Sequence, residues 1–459
     1  MSRLYLDQGT TATSDLGVAI FAGAGLGGGT TVNWTTAIAP PDWLRDEWER
    51  EHGLEGLAGG ATDDAIGRLR EELDLQPPSV IPPKDRLILD GASALGWEAA
   101  PTERNAGPCT ECGACGFGCR SGSKRSGLRT HLATAAAHGA RILADARVER
   151  VEIADGRVTG VRGSLVDVAG RTREFRVAAP RVVVAAGTLR TPLILHASGI
   201  AHPQLGRNLR LHPVVALGAR MPDPVEMWRG PTQAARSLEF WRPGPVDRAG
   251  IGPAHNGFVI ESAPPHPGLL ASAFPWEGRE RSAARMADAR YDAPLIAIMR
   301  DTGGGHVHWT RHRRARIDYR LPPAEALTAR RAMVELARLA RAGGAVEVFS
   351  VSQPVVRVAT SDGDDAFDRF LRRLATLSMA PNRTSLFSAH QMGTARAGAD
   401  PRRHPCDPWG RVRSGTDGRL VEGLVVADAS LFPSASGVNP MLTVMVLADR
   451  VAAGVLSAG

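Results

Sequence analysis

The chain has 459 residues, 43% hydrophobic and 22% charged, a balance ordinary for a soluble globular protein with room for two or three domains. A net charge of +7 invites a nucleic-acid reading, but lysine occurs only at Lys84 and Lys124, and the arginines are scattered among acids without forming a stripe. No run approaches the ~18 apolar residues of a membrane span, and Asp7 and Asp15 interrupt the N-terminus where a secretory signal needs an apolar core; a cytoplasmic protein with no transmembrane segment and no nucleic-acid partner is expected.

Residues 16–40 read as strand, glycine loop and extended chain. Within them, "GAGLGGGTTVNW" contains Gly23-x-Gly25-x-x-Gly28, the outline of a dinucleotide fingerprint. A fingerprint must open a helix whose amides bind phosphate. Here "TTVNWTTAIAPPDW" is rich in β-branched residues and broken by Pro40-Pro41, so extended chain is expected. The acids near the required distance, Glu47, Glu49 and Glu51, lie in "DWLRDEWEREHG", a helix pattern capped by Asp42 and stopped at Gly53. The loop fails both tests of the fingerprint.

Helices are predicted near 42–52, 62–74 and 84–96. The stretch 109–119 carries four cysteines and too much glycine for regular structure, and "GLRTHLATAAAHGA" reads as a helix ending at Gly139. A β-rich section follows, with a hairpin signal at Asp155-Gly156. Unbroken "VVVAAG" suggests a strand buried on both faces, leading into a helix stopped at Gly199. From 214 to 385 strands look short, Pro and Trp are frequent, and "PAEALTARRAMVELARLARAGG" is a long helix with Met333, Leu336 and Leu339 at core spacing. After Ser385 the earlier style returns: "GLVVADASLFP" is a buried strand, and Pro440 opens a terminal helix.

The C-terminal string "SAHQMGTARAGADP … GLVVADASLFPSASGVNPMLTVMVLADRV" is the most specific part of the chain. Singly, His390 reads as an ordinary histidine and Asn439 as a helix cap. Together and in order they resemble the signature of the glucose–methanol–choline flavoprotein oxidoreductases, with "H-x-x-G-T" and "G-x-N-P" turns around a "V-x-D-A-S-x-x-P" strand. The resemblance covers nearly the whole chain and implies an α/β fold: an FAD-binding Rossmann-like domain with a mixed-sheet substrate-binding domain. It places FAD-binding parts at 1–213 and 386–459, the first carrying a helical, cysteine-rich insertion at 42–124, and the substrate domain at 214–385.

By the same resemblance, His390 and Asn439 flank the reactive edge of the flavin. Asp428 and Ala429, Ala186 and Gly187, Val148, and Pro440 and Met441 lie at cofactor-contacting positions. The opening glycine loop matches the family's second loop under the isoalloxazine ring, with Gly27, Gly28, Gly29, Thr30 and Asn33 beside the cofactor. The family's upstream strand–GxGxxG–helix unit is absent, so the chain is expected to begin within the domain. The implied reaction is oxidation of a small-molecule alcohol by hydride transfer to flavin N5, with oxygen or another electron acceptor. His390 is the expected base and the Asn439 amide the expected donor to developing alkoxide. "CTECGACGFGC" and "AHQMGTARAG" look most like the long-chain alcohol oxidase branch, which points to a lipophilic alcohol, with sterols second. Cys109, Cys112, Cys115 and Cys119 reproduce ferredoxin-like spacing and suggest an iron–sulfur cluster or zinc as an alternative to a plain loop. An inactive flavoprotein remnant and an iron–sulfur electron-transfer protein are the competing readings.

Overall fold

The helices form close to where the pattern places them, and two of them stop at a glycine in a left-handed conformation, Gly53 and Gly96. In the computed structural model, which describes residues 3–312 and 314–457, they include Asp42–His52, Gly60–Glu72, Pro83–Leu95, Thr191–Ala197, Pro323–Ala342 and Met441–Ser457. Gly53 ends the first of these at φ 69°, a conformation that carries no Cβ penalty for glycine. Asp42 is the first helical residue and not the cap; Pro41 takes that place, and the Asp42 carboxylate pairs with Arg45 within the turn. The helix expected up to Gly139 is limited to His131–Ala137.

Extended chain after the glycines is only partly observed. Gly29–Val32 forms one helical turn, and bridge pairing begins at Thr36. The turn tolerates two threonines because their hydroxyls donate back into the loop, Thr30 to Gly27 O and Thr31 to Leu26 O.

A nine-stranded sheet runs in the order Ala19–Ile20, Phe387–Ser388, Val214–Arg220, Asp292–Met299, Phe258–Ser262, Ala235–Ser237, Ala100–Pro101. Glu347–Ser350 branches from Val214–Arg220 and pairs in turn with Arg357–Ala359. Asp292–Met299 is buried at every position, as a central strand covered on both faces should be. The helix Pro323–Ala342 buries Met333, Leu336 and Leu339 in this core, and Pro83–Leu95 lies against it. Their approach is close: a Cβ on Gly91 would come within 2.4 Å of Leu339 O.

A six-stranded sheet holds Arg411–Arg413, Leu420–Val426, Arg157–Val166 and Ala146–Ala154, with Thr172–Ala178 and Val182–Val184 added. Asp155 and Gly156 both take positive φ, 49° and 76°, as the expected hairpin requires. Arg207–Leu209, Gly305–Trp309 and Ala315–Asp318 make a third sheet.

One expectation needs correction. Val182–Val184 is not buried on both faces: Val184 is buried but Val183 is 52% exposed. The strand pairs along one edge with Leu424–Val426, and no other described strand pairs with it. The helices within 42–124 divide between two cores. Leu44, Trp48, Leu69 and Leu73 join the core of the six-stranded sheet and the last helix, whereas Leu87, Ile88 and Ala92 join the core of the nine-stranded sheet. The apolar faces of these helices point to different partners, so each core claims its own.

Candidate active site

The glycine loop presents bare backbone to open space. Gly25, Gly27 and Gly28 have positive φ, and a Cβ added at Gly25, Gly28 or Gly29 would meet nothing within 4 Å. Gly27 is different, since a Cβ there would lie 2.9 Å from the backbone N of Leu128. The loop is pinned from behind by Lys124, whose buried ammonium donates to Thr31 O (2.9 Å), Asn33 O (2.8 Å) and Cys115 O (2.9 Å). In front, Asn33 Nδ2 donates to Met441 Sδ (3.1 Å), joining the loop to the start of the last helix. Asn33 Oδ1 and Thr443 Oγ1 are buried without a partner. An uncovered backbone cradle with buried, unanswered polar atoms nearby suits a flat, heteroatom-rich group such as a flavin.

His390 follows the strand Phe387–Ser388 and is half-buried. Its neighbour is His212, fully buried, with the two Nδ1 atoms 3.4 Å apart. His212 Nε2 in turn accepts from the backbone N–H of Gly437 at 3.0 Å, two residues before Asn439. One imidazole thus ties together the two turns that carry the expected catalytic pair. Burial holds the His390 imidazole down to about 4 and His212 well below the usual range.

Asn439 is held by a carboxylate. Its Nδ2 donates to Glu261 Oε2 (3.3 Å), and Gln233 Nε2 donates to the same oxygen (2.6 Å) while Gln233 Oε1 accepts from Thr36 Oγ1. Glu261 sits in the strand Phe258–Ser262 and is fully buried, and its Oε1 has no partner. Burial pushes its carboxyl up to about 7 against the donors that face it. The Asn439 Oδ1 is also buried and unpartnered. A second clamp steadies the turn: Arg300 donates to both oxygens of Glu47 (2.7 and 2.6 Å) and to Ala435 O (3.1 Å).

The other expected cofactor residues fall into separate groups. Asp428 caps the short turn Ala429–Leu431 and is occupied by protein donors: Gly187 N (2.8 Å), Thr191 Oγ1 (2.5 Å) and Ser430 N (2.8 Å). It joins the end of one parallel strand to the helix after the other. Gly187 has φ 79° and open space where a Cβ would be, and Ala186 beside it is exposed. Val148 lies partly buried in Ala146–Ala154, opposite Gly163 and next to a register shift. Pro440 precedes the last helix, and its carbonyl accepts from Val444 N. Thr30 Oγ1 accepts from Gly127 N (3.0 Å).

The iron–sulfur or zinc expectation is not supported. Cys109, Cys112, Cys115 and Cys119 do line one small cavity, but no three His, Cys, Asp or Glu side chains among the described residues are arranged to hold a metal ion. Arg104 and Lys124 place positive charge in the same wall, Cys109 Sγ accepts from Glu111 N, and Cys119 Sγ accepts from Lys124 N.

Sequence reasoning missed His212, Glu261, Lys124 and Arg300. Two carried a signal: Glu261 is a lone acid in the apolar run "FVIES", and Lys124 is one of only two lysines in an arginine-rich chain. His212 and Arg300 carried none.

Two sequence models described as GMC oxidoreductase match residues 1–214 and 303–448. An uncharacterized GMC-type oxidoreductase of Mycobacterium tuberculosis (strain ATCC 25618 / H37Rv) is 38% identical over 97% of this chain and 67% of its own length. Long-chain-alcohol oxidase FAO4A of Arabidopsis thaliana is 30% identical over 98% of this chain and 61% of its own length. The chain therefore spans about two thirds of these relatives. Among solved structures, pyridoxine 4-oxidase from Mesorbium loti aligns with a TM-score of 0.67 at 19% identity, covering 98% of this chain and 87% of that one. Aspergillus oryzae RIB40 formate oxidase, whose FAD modification was studied, also aligns with a TM-score of 0.67, at 15% identity, covering 95% and 85%. The fold is that of flavoproteins with an FAD-binding domain and mixed sheets. The chain belongs to the GMC oxidoreductase family. No described helix is long and apolar enough to cross a membrane.

Proposed function

We propose that this protein is an FAD-dependent oxidoreductase that oxidises the CH–OH group of a lipophilic alcohol. The observation that carries the reading is the tie through His212, which brings the His390 turn and the Asn439 turn to one place beside the glycine loop. Similarity to long-chain-alcohol oxidases favours a long-chain substrate. Apolar packing supports it: Val438, next to Asn439, clusters with Ile38, Val259, Leu238 and Trp241.

In this reading, residues 1–213 and 386–459 hold FAD and 214–385 close over the substrate. The cradle Gly27–Gly29 with Thr30 and Asn33, the Gly187 turn with Ala186, Val148, the 428–429 turn, and Pro440 with Met441 are the positions that would hold it. FAD, when bound, supplies a two-electron acceptor for hydride. His390 and the Asn439 amide hold the carbinol oxygen and set which C–H bond faces the acceptor. The hydroxyl proton needs a base matched to neutral pH. His390, the base expected from the sequence, is held down to about 4, whereas Glu261 at about 7, with a free Oε1, is the better match.

The test is anaerobic mixing of FAD-loaded protein with long-chain primary alcohols, a sterol and short alcohols in turn. Bleaching of the visible flavin absorbance by the long-chain alcohols supports the reading. No bleaching by any alcohol overturns it, and bleaching by the sterol or short alcohols alone overturns the substrate class.

A further inference from the structure

We propose that His212 is a positioning residue that fixes His390 in the tautomer carrying its proton on Nε2, so that His390 meets a substrate oxygen as hydrogen-bond donor. The carbinol oxygen as its target rests on the reading above; the tautomer itself does not.

A backbone amide N–H can only donate. Gly437 N–H points at His212 Nε2 from 3.0 Å, so that nitrogen must offer its lone pair. A neutral imidazole has one proton, and complete burial disfavours a second on His212. Its proton is therefore on Nδ1. That atom lies 3.4 Å from His390 Nδ1, with the rings nearly perpendicular at 80°. With a proton already between them, His390 Nδ1 must accept; protonation there would set two N–H groups against each other. The single proton of neutral His390 is left on Nε2, the nitrogen turned away from His212.

The backbone shows that His212 is held in place. It has φ 46°, left-handed and uncommon for a residue with a side chain. Asp301 stabilises that geometry, accepting from His212 N (3.1 Å) on one oxygen and from Leu211 N (2.9 Å) and Tyr319 Oη (3.0 Å) on the other. A strained residue supported by a buried carboxylate marks a position where the side chain's direction matters. The consequence for chemistry is a division of roles: His390 gives a hydrogen bond to the oxygen, and the hydroxyl proton leaves toward a different group.

The test is long-range 1H–15N correlation on protein labelled with 15N-histidine, with His390 assigned by its loss in His390→Gln. The expected spectrum shows His390 protonated on Nε2 and bare on Nδ1. In His212→Phe both tautomers should appear. In His212→Asn, whose amide N–H falls near the former Nδ1, the Nε2 form should return. In activity, His212→Phe should lower kcat about 100-fold or more, as a wrong imidazole tautomer does elsewhere, with little change in KM. Wild-type His390 protonated on Nδ1 overturns the proposal, and so does an unchanged tautomer in His212→Phe. Should the variants not fold, the wild-type spectrum alone decides. Because that spectrum needs no substrate, it can fail while alcohol oxidation stands, or hold while alcohol oxidation fails.

Discussion

His390 and Asn439 each lean on a side chain from outside the C-terminal signature: His212 on one side, Glu261 on the other. This explains why single substitutions should separate binding from turnover. His390→Ala should lower turnover by about 10²- to 10⁴-fold, the range for losing a positioned proton donor or acceptor, with bound flavin retained. Steady-state rates beside the flavin-to-protein ratio check this, and near-normal turnover would remove His390 from the site. Glu261→Gln keeps the shape of the network and removes its titration. If the carboxylate takes the hydroxyl proton, wild-type kcat/KM rises with pH through about 7 as Glu261 ionises. The variant should lose that limb and fall by about 10²-fold or more. An identical profile in both proteins would exclude Glu261 as the acceptor.

At the scale of elements, the glycine loop depends on Lys124. Three carbonyls from two loops converge on its ammonium, which is 1% exposed. Lys124→Met would leave Thr31 O, Asn33 O and Cys115 O facing a methyl group. Unanswered buried acceptors cost about 1–3 kcal/mol each, so the loop should loosen even though Met fills the space. Denaturant unfolding should show a loss of about 3 kcal/mol or more, and FAD titration a weaker affinity. Unchanged flavin affinity would mean that the loop holds its form without this tie.

For the whole molecule, the buried histidines set the response to acid. Burial holds His52, His255, His306, His390 and His404 near about 4, and His52 and His404 bond to each other at 3.0 Å. The unfolded chain binds these protons near 6.5. Stability is therefore complete above about 6.5 and lost as pH falls toward 4. Asp292 and Glu261, raised to about 6 and about 7, work in the opposite sense over part of that window, but the histidines outnumber them. The melting temperature should fall steadily from pH 7 to pH 4.5. A flat or rising trend in thermal scans would show that these imidazoles are not neutral in the folded protein.

What the sequence determined by itself was local or carried by contiguous signature. Gly53 ends its helix, Asp155-Gly156 makes its hairpin, and the order of His390, Asp428 and Asn439 identifies the family, because each rests on residues close in the chain. The glycine loop was legible as a close-approach backbone for the same reason. What only the tertiary structure decided were partnerships across long separations. Cysteine spacing could not reveal that Arg104 and Lys124 share the cavity, and the apolar run "VVV" could not reveal that one of its edges lacks a described partner strand. His212 and Glu261 lie on segments with no motif, and they gain meaning only when a sheet carries them against the C-terminal turns. Spacing along a chain encodes which groups share a turn; desolvation and hydrogen-bond direction depend on what surrounds a group in space, and these determine how a histidine or a carboxylate behaves.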